Sequence, residues 1–288
     1  DEHDAHSRRL LNDFSMLDVR FADEDVLRAR RAYYGSISYI DHMIGKIFDT
    51  LAATGQAENT AIIFTSDHGE MLGERGMWFK KHFFEPALRI PLFIRAPGFE
   101  AQRVSTPVSL IDLLPTFMGI AEGSGWSSEV EQLDGTNLLD FASGESQHDR
   151  PVYAEYLAEA TPSPIFMIRR GNYKFIYCED DPPLLFDLGN DPDERINLAD
   201  DPAYEETLHQ FKSEVLQKWH GSSLTDKIKK SQKRRQLIKH GNGFGEAQRW
   251  NHDENPTDKV LWYRGGIEAW KMAGLPTQNP YAQGNQPY

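Results

Sequence analysis

The feature that most constrains the fold is a helical pattern of apolar residues followed by a short, wholly apolar strand. The apolar residues step along the chain by four, three, four, three and four, on one helix face: Tyr33, Ile37, Ile40, Ile44, Ile47 and Leu51. The run Thr60–Thr65 is rich in β-branched and aromatic residues and lacks polar alternation, which predicts a strand buried on both faces of a parallel sheet. A second such run, Pro91–Arg95, and an apolar helix at Leu110–Ile120 indicate an α/β layered fold.

The period changes after a connection, 121–149, that is rich in Gly, Ser and acidic residues. Short strands are predicted at Pro151–Tyr156, Ile165–Arg170, Tyr173–Tyr177 and Leu184–Leu188. A helix is predicted at Pro202–Trp219. We therefore expect a small antiparallel sheet with one helix in this part of the chain.

These patterns predict three parts: an α/β domain at 1–142, a small α+β subdomain at 143–220 and a tail at 221–288. Residues 1–22 form a polar lead-in with no clear period. The tail is basic, with 11 Lys and Arg against 6 Asp and Glu, and it holds several aromatic residues. It predicts packing against a second subunit, and hence a homo-oligomer.

Composition excludes several classes of function. The net charge of −13 argues against nucleic-acid binding, because phosphates would be repelled by the acidic body. No apolar run reaches the roughly 18–20 residues that a membrane-spanning helix needs. The one cysteine, Cys178, rules out an internal disulfide framework and favours a reducing compartment, with the cytoplasm as the expected location.

The best candidate for chemistry follows the first predicted strand directly. Asp67 and His68 come side by side, where α/β sheets place their ligands, and together they can present a carboxylate oxygen and an imidazole to one cation. The alternative is a strand-ending turn in which Asp67 only caps the next element. Lys80, on the loop that follows, can neutralise an anionic oxygen of a substrate, or it can be a solvated surface charge like its neighbour Lys81.

No nucleophile can be identified from the residues alone. Cys178 precedes three acidic residues, which raise the pKa of a thiol and make it a poor nucleophile. The sequence also lacks the Gly-x-Ser-x-Gly, phosphate-loop and His-Glu-x-x-His motifs.

Longer motifs resemble the sulfatase family of the alkaline-phosphatase-like superfamily. The central one is Thr65-Ser-Asp-His-Gly-Glu-Met-Leu-Gly-Glu-Arg-Gly-Met-Trp-Phe-Lys80, which is similar to the metal loop of that family. Asp112-Leu-Leu-Pro-Thr116, Arg170-Gly-Asn-Tyr-Lys-Phe-Ile176 and Leu185-Phe-Asp-Leu-Gly-Asn-Asp-Pro-Asp-Glu194 resemble later segments in the same order. The amino-acid sequence of this loop, together with Ala154–Glu159, most resembles the choline-sulfatase branch.

This resemblance implies a fold and a set of roles. The chain would be the C-terminal part of an alkaline-phosphatase-like α/β/α sandwich plus a small antiparallel-sheet subdomain with one helix. Asp67 and His68 would bind a divalent cation, Ca²⁺ first and Mg²⁺ or Mn²⁺ as substitutes. Lys80 would contact the sulfate and stabilise the leaving oxygen, and Glu155 would pair with a quaternary ammonium group of the substrate.

The resemblance also implies a nucleophile that this sequence lacks. Sulfatases use a formylglycine made from the cysteine of Cys-x-Pro-x-Arg, and Cys178 does not stand in such a motif. We therefore expect the C-terminal part of a hydrolase of small sulfate esters, inactive in isolation. The alternatives are a phosphonate monoester or phosphodiester hydrolase of the same superfamily, and a non-catalytic assembly module.

Overall fold

A computed structural model describes residues 3–122, 133–143 and 149–242. The chain divides into two compact units, one of residues 1–19 and 60–237 and the other of residues 20–59 and 238–288. The helices are α1 (Ala5–Asp13), α2 (Asp23–Ala53), α3 (Glu85–Leu88), α4 (Leu113–Glu122), α5 (Glu205–Lys218) and α6 (Gly221–Asn242). The strands are β1 (Ile62–Thr65), β2 (Met71–Leu72), β3 (Trp78–Phe79), β4 (Leu92–Arg95), β5 (Val152–Tyr156), β6 (Ile165–Arg170), β7 (Tyr173–Cys178) and β8 (Leu184–Asp187).

The long helix α2 confirms the predicted helical pattern. Its first turn holds Asp23, Glu24 and Asp25, whose negative charges favour the amino end of a helix. Gly55, with φ of 70°, follows its end, where the left-handed conformation suits glycine. The predicted apolar stripe is present, but none of the helix residues is buried in the structure.

The amino-terminal segment corrects one expectation, because part of the predicted polar lead-in is the helix α1. Asp4 caps this helix by accepting a hydrogen bond from the Ser7 backbone N–H at 3.0 Å. Its buried residues are His6, Ser7, Leu10 and Leu11. Two of these four are polar, so the inner face does not stand out in a hydropathy pattern.

The first predicted strands also need a correction, since β1 and β4 do not lie in a parallel sheet. They form a two-stranded antiparallel pair, with Ile63 opposite Ile94, and neither strand is fully buried. An apolar run indicates burial but carries no information on strand direction. Direction is set by the connection, which here turns back through the β2–β3 hairpin and α3 instead of crossing over through a long helix.

The helix predicted at Leu110–Ile120 is confirmed, with a short 3₁₀ turn before α4. Ser109 and Asp112 form a capping box at its start. Asp112 is fully buried, and Arg150 reaches both of its carboxylate oxygens, at 2.5 and 2.9 Å. This bidentate pair ties the start of α4 to the segment before β5.

The second predicted region is confirmed as a four-stranded antiparallel sheet in the order β5-β6-β7-β8, followed by the helix α5. Along β6 the alternate residues Ile165 and Met167 face one core, while Phe166 and Ile168 face another. Helix α5 covers the second face with Phe211 and Val215. The first face is covered by residues of α1, the β2–β3 hairpin and α3, and this contact carries the candidate site.

Residues 243–288 lie outside the described part of the chain, and so does the subunit contact predicted for most of the tail. The basic segment that precedes them is helical, in α6. Among the described residues, no helix combines the length and the apolar character that crossing a membrane requires.

Candidate active site

The Asp67–His68 pair lies in a loop that leaves the end of β1 and is tied to α3. The Gly69 and Glu70 N–H groups donate to the Ala87 and Pro86 carbonyls at 2.7 and 2.9 Å. A Cβ atom on Gly69 would lie 2.1 Å from the Pro86 oxygen, so only glycine fits this close approach. The loop therefore has a fixed path immediately after the two candidate ligands.

The β2–β3 hairpin then carries Lys80 back to this loop. Met71 pairs with Phe79 and Leu72 with Trp78 across the hairpin. Phe79 adopts a φ of 74°, a left-handed conformation that is uncommon for a residue with a side chain. In this arrangement the Lys80 ammonium contacts Nε2 of His68, twelve positions earlier in the chain.

The hydrogen bonds of His68 determine which ring nitrogen keeps the lone pair that a cation could take in place of Lys80. Its Nδ1 lies 2.8 Å from the Gly69 carbonyl, which can only accept, so we assign the proton to Nδ1. Nε2 then keeps its lone pair, which accepts from Lys80. The Asp67 Oδ2 atom lies 3.3 Å from the same nitrogen, and the Asp67 side chain is 81% exposed.

Electrostatics in this cluster favour an ionised Asp67. Desolvation acts to raise the pKa of Asp67, but nearby His68, backbone hydrogen bonds and Lys80 outweigh it, and the pKa lies below its usual value. The carboxylate therefore stays negative below neutral pH. A carboxylate oxygen of this kind suits a hard divalent cation such as Ca²⁺.

Glu70 belongs to the same cluster, although sequence reasoning assigned it no role. Burial raises the pKa of Glu70, while the charges of His68 and Lys80 oppose the shift. The available signal was its spacing, because in an extended segment residues two apart point to the same side. Glu70 thus adds a second carboxylate near Lys80.

The structure also distinguishes Lys80 from its neighbour, which residue type alone could not do. Lys81 forms an ion pair with Glu159 at 3.3 Å, and its ammonium lies 4.8 Å from the centre of the Phe14 ring. Lys80 faces His68 instead. The two lysines therefore have different surroundings, and the one predicted from the motif is the one at the cluster.

Glu155 is not brought into contact with the other three predicted residues. It is exposed on the edge strand β5, opposite Phe166. In the described part of the chain its carboxylate makes no hydrogen bond or ion pair. Its predicted role toward a quaternary ammonium group remains a prediction.

Cys178 is buried, and burial, followed by the nearby Asp181 charge, raises the pKa of its thiol above the usual value. The Sγ atom lies 3.2 Å from the Ser163 hydroxyl. The structure thus agrees with the sequence-based view that Cys178 is a poor nucleophile, and it names burial as the main cause.

The donor set fits part of a cation site. Two neighbouring donors at about 2.1–2.5 Å from a hard divalent ion lie about 3.0–3.5 Å apart in octahedral geometry. Asp67 Oδ2 and His68 Nε2, at 3.3 Å, meet this condition. Among residues 3–122, 133–143 and 149–242, no three His, Cys, Asp or Glu side chains are grouped to hold a metal ion, so these two donors would need others.

Comparison with known families accounts for this arrangement. The Sulfatase family profile matches residues 3–124, and the profile for the C-terminal region of N-sulphoglucosamine sulphohydrolase matches residues 73–221. The second match covers more than half of the chain and includes Lys80 and the whole four-stranded sheet. The chain belongs to the sulfatase family. It carries the C-terminal elements of that family, as its motifs predicted.

Individual sulfatases and related hydrolases show the same relationship. Choline-sulfatase of Rhizobium meliloti (strain 1021) is 38% identical over 255 residues, which cover 88% of this chain and 49% of that protein. The multifunctional alkaline phosphatase superfamily protein PehA of Trinickia caryophylli is 35% identical, with 67% of this chain and 41% of that protein covered. The chain spans about half the length, or less, of the curated relatives it matches.

Solved structures place the fold among the alkaline-phosphatase-like enzymes. The phosphonate monoester hydrolase SpPMH from Silicibacter pomeroyi superposes with a TM-score of 0.53 at 29% identity, covering 62% of this chain and 38% of that one. A sulfatase from Bacteroides thetaiotaomicron superposes with a TM-score of 0.55 at 26% identity, covering 65% of this chain and 41% of that one. The predicted fold class is therefore confirmed.

Proposed function

We propose that this chain contributes the Asp67–His68–Lys80 cluster to a sulfuric ester hydrolase that acts on a small sulfate ester such as choline O-sulfate. One observation carries the proposal: the fold returns the Lys80 ammonium to the Asp67–His68 pair, as charge stabilisation at a sulfate group requires. Similarity to the choline-sulfatase of Rhizobium meliloti supports the choice of substrate.

Each residue has a defined task in this proposal. Asp67 and His68 hold a divalent cation, Ca²⁺ or in its place Mg²⁺ or Mn²⁺, and such an ion supplies Lewis-acid polarisation of a sulfate oxygen when bound. Lys80 presents its ammonium to the sulfate oxygens and stabilises the charge that develops on the leaving oxygen. Glu155 pairs with the quaternary ammonium of choline.

The nucleophile must come from outside these 288 residues, because the single cysteine, Cys178, is buried and stands in no Cys-x-Pro-x-Arg motif. The family employs a formylglycine for this step. We therefore expect no turnover by the isolated chain, and sulfate release from choline O-sulfate when the complete product of the reading frame is supplied with Ca²⁺.

The first experiment is to read the coding sequence upstream of Asp1 and then to assay the complete product for sulfate release. A Cys-x-Pro-x-Arg or Ser-x-Pro-x-Arg motif upstream, with calcium-dependent release, supports the proposal. Release by the isolated chain well above the buffer rate would contradict the assignment of the nucleophile.

A second candidate function, phosphonate monoester or phosphodiester hydrolysis, is favoured by the likeness to SpPMH and PehA. The same cluster can stabilise a phosphoryl oxygen as well as a sulfuryl oxygen, since Lys80 and a divalent cation recognise charge and not the central atom. The ratio of kcat/KM for a sulfate ester and for a phosphodiester of the same alcohol distinguishes the two functions.

Glu155 offers a test of the choline assignment. Glu155→Gln is expected to raise KM for choline O-sulfate and to leave KM for a sulfate ester of an uncharged alcohol unchanged. An equal effect on both substrates would remove Glu155 from the proposed binding site.

A homo-oligomer held by the basic aromatic tail remains part of the proposal. Light scattering of the chain with and without residues 221–288 measures it. A mass that is the same multiple of the chain in both forms would contradict tail-driven assembly.

A further inference from the structure

A buried ion cluster of Lys174, Glu194 and Glu85 lies at the start of α3, next to the segment that carries Lys80. Lys174, on β7, is fully buried, and its ammonium contacts Glu194 Oε1 at 2.8 Å, Glu85 Oε1 at 2.5 Å and the Phe83 carbonyl at 2.9 Å. Glu194 is only 1% exposed. A buried ammonium is stable only with such partners, so the cluster holds these groups in one arrangement.

Glu194 forms hydrogen bonds with both ends of the segment that carries Lys80. The Glu85 backbone N–H donates to Glu194 Oε2 at 2.7 Å, and the Arg75 guanidinium donates to the Glu194 carbonyl at 2.6 Å. Arg75 lies five residues before Lys80, and Glu85 lies five residues after it. Both ends of this eleven-residue segment are therefore held by a single residue of the second matched region.

The same cluster reaches the other half of the site through α3. The backbone N–H of Glu85 is held by Glu194 at the start of this helix, and the Pro86 and Ala87 carbonyls accept from the two residues that follow His68. One buried anchor thus fixes both the loop of Asp67 and His68 and the segment of Lys80.

Backbone strain is concentrated on these connections. Five described residues other than glycine have positive φ, and three of them belong here: Arg75 at 54°, Phe79 at 74° and Glu194 at 56°. Strained conformations persist only where the surrounding contacts enforce them, and here the hydrogen bonds of Glu194 with Arg75 and Glu85 do so.

We propose that Glu194, held by Lys174, is the positioning residue that sets the distance between Lys80 and His68. It touches no substrate and acts through the Arg75–Glu85 segment. The effect of Glu194 on catalysis rests on the proposed function. The distance between the Lys80 and His68 side chains can be tested without it. It predicts that loss of the Glu194 carboxylate separates these two side chains while the four-stranded sheet stays folded.

The test is nuclear magnetic resonance of the full chain with selectively labelled Lys and His, without substrate. In the unmodified chain, cross-peaks between the Lys80 methylenes and the His68 ring protons report their contact. Glu194→Gln retains the shape of the side chain but can accept from only one of its two partners, since its amide NH₂ must face the other. We expect these cross-peaks to be lost in Glu194→Gln. We expect the same loss in Glu194→Asp, which keeps the charge but has a side chain that is one methylene shorter.

Glu214→Gln is the matched control, because it removes the same charge from another ion pair, which joins α5 to Arg170 of the sheet at 2.8 Å. The cross-peaks should persist in it. Retention of the full Lys80–His68 cross-peaks in Glu194→Gln and Glu194→Asp, with both chains folded, would overturn the proposal.

Should the Glu194 variants fail to fold, Arg75→Met decides the question, since it removes the donor to the Glu194 carbonyl and releases only the amino-terminal end of the segment. Weakened cross-peaks support the proposal, and unchanged ones overturn it. Because no turnover is measured, absence of sulfatase activity in the complete product would refute the proposed function and leave this result standing.

Discussion

The structure describes three antiparallel sheets in the first unit, and the two that contrast are the β1–β4 pair and the β5–β8 sheet: both are rich in apolar residues, but only the larger one is buried. Phe175, in the β5–β8 sheet, is fully buried, whereas Phe93, in the β1–β4 pair, is 67% exposed. The larger sheet has α5 on one face and α1, α3 and the hairpin on the other. The comparison shows that an apolar strand is buried only where another element covers it, and that the site loop at the end of β1 takes its support from the larger sheet.

The largest effect that tests this comparison is expected from Phe175→Ala. Phe175 packs against Phe211 with ring centroids 5.8 Å apart, so the truncation leaves a cavity between the sheet and α5. We expect the free energy of unfolding to fall by about 3–5 kcal/mol, measured by urea denaturation. Phe93→Ala is the control and should cost about 0.5 kcal/mol or less. Equal losses in the two variants would break the comparison.

A somewhat smaller effect is expected on catalysis from Lys80→Ala. Removal of one charge-stabilising donor lowers kcat by about 10²–10³-fold, and kcat for the complete product of the reading frame measures it. Lys81→Ala removes the pair with Glu159 and the contact with the Phe14 ring but nothing at His68, so it should change kcat by less than about threefold. If the two variants lose the same activity, Lys80 has no special role.

The buried side chain of His82 is expected to make the free energy of unfolding depend on pH. Burial lowers the pKa of His82 to about 4, Asp4 opposes the shift, and His6, Arg75 and Lys174 add to it. Neither ring nitrogen finds a hydrogen-bond partner among the described residues.

The sign follows from proton uptake in the two states. Between about pH 6.5 and about 4 the unfolded chain protonates His82 and the folded chain does not, so stability falls as the pH drops through this range. The loss attributable to His82 reaches about 3 kcal/mol at the acid end.

Urea unfolding at pH 7 and pH 4.5 measures this contribution. His82→Leu is expected to lose less stability between the two pH values than the unmodified chain, by about 2–3 kcal/mol. His209→Leu, on the exposed side of α5, is the control. An unchanged pH dependence in the His82 variant would show that this side chain is not neutral in the folded protein.

The smallest effect is expected from Glu214→Gln. Glu214 accepts from Arg170 and from the Tyr153 hydroxyl at 2.6 Å, but this pair is partly exposed, with 37% of the Arg170 side chain accessible. The loss in free energy of unfolding should be about 1 kcal/mol or less. Glu194→Gln, in the buried cluster, should cost several times more, and similar losses would remove the distinction between the two ion pairs.

The longer elements of the chain could mostly be predicted from local patterns, whereas helix α1, the β2–β3 hairpin and the short helix α3 could not. The strands β5 to β8 and the helices α2 and α4 follow from period, turn residues and caps, which depend on neighbouring residues in the sequence. Helix α1 was missed because His6 and Ser7 form half of its inner face. The parallel partner expected for β1 was wrong because pairing direction depends on a distant segment, β4.

The site was predicted in the same uneven way. The family resemblance predicts roles for Asp67, His68 and Lys80, and the structure brings these three side chains together. That Lys80 and not Lys81 faces His68 depends on the register of the β2–β3 hairpin and on the left-handed turn at Phe79, which the sequence does not display. Glu70 lies near His68 and Lys80 although no role was predicted for it, and Glu155 lies on an edge strand without a contact to the other three predicted residues.

The sequence by itself determined the family, the order of the longer helices and strands, and the carboxylate, imidazole and ammonium groups that the site loop carries, since these are properties of residue types and of local spacing. Only the tertiary structure decided which of these groups meet. The contacts of Lys174 and Glu194 with the segment around Lys80 join residues about a hundred positions apart. Such long-range pairs leave no periodic signal, because their geometry is set by the packing of the larger sheet against the site loop.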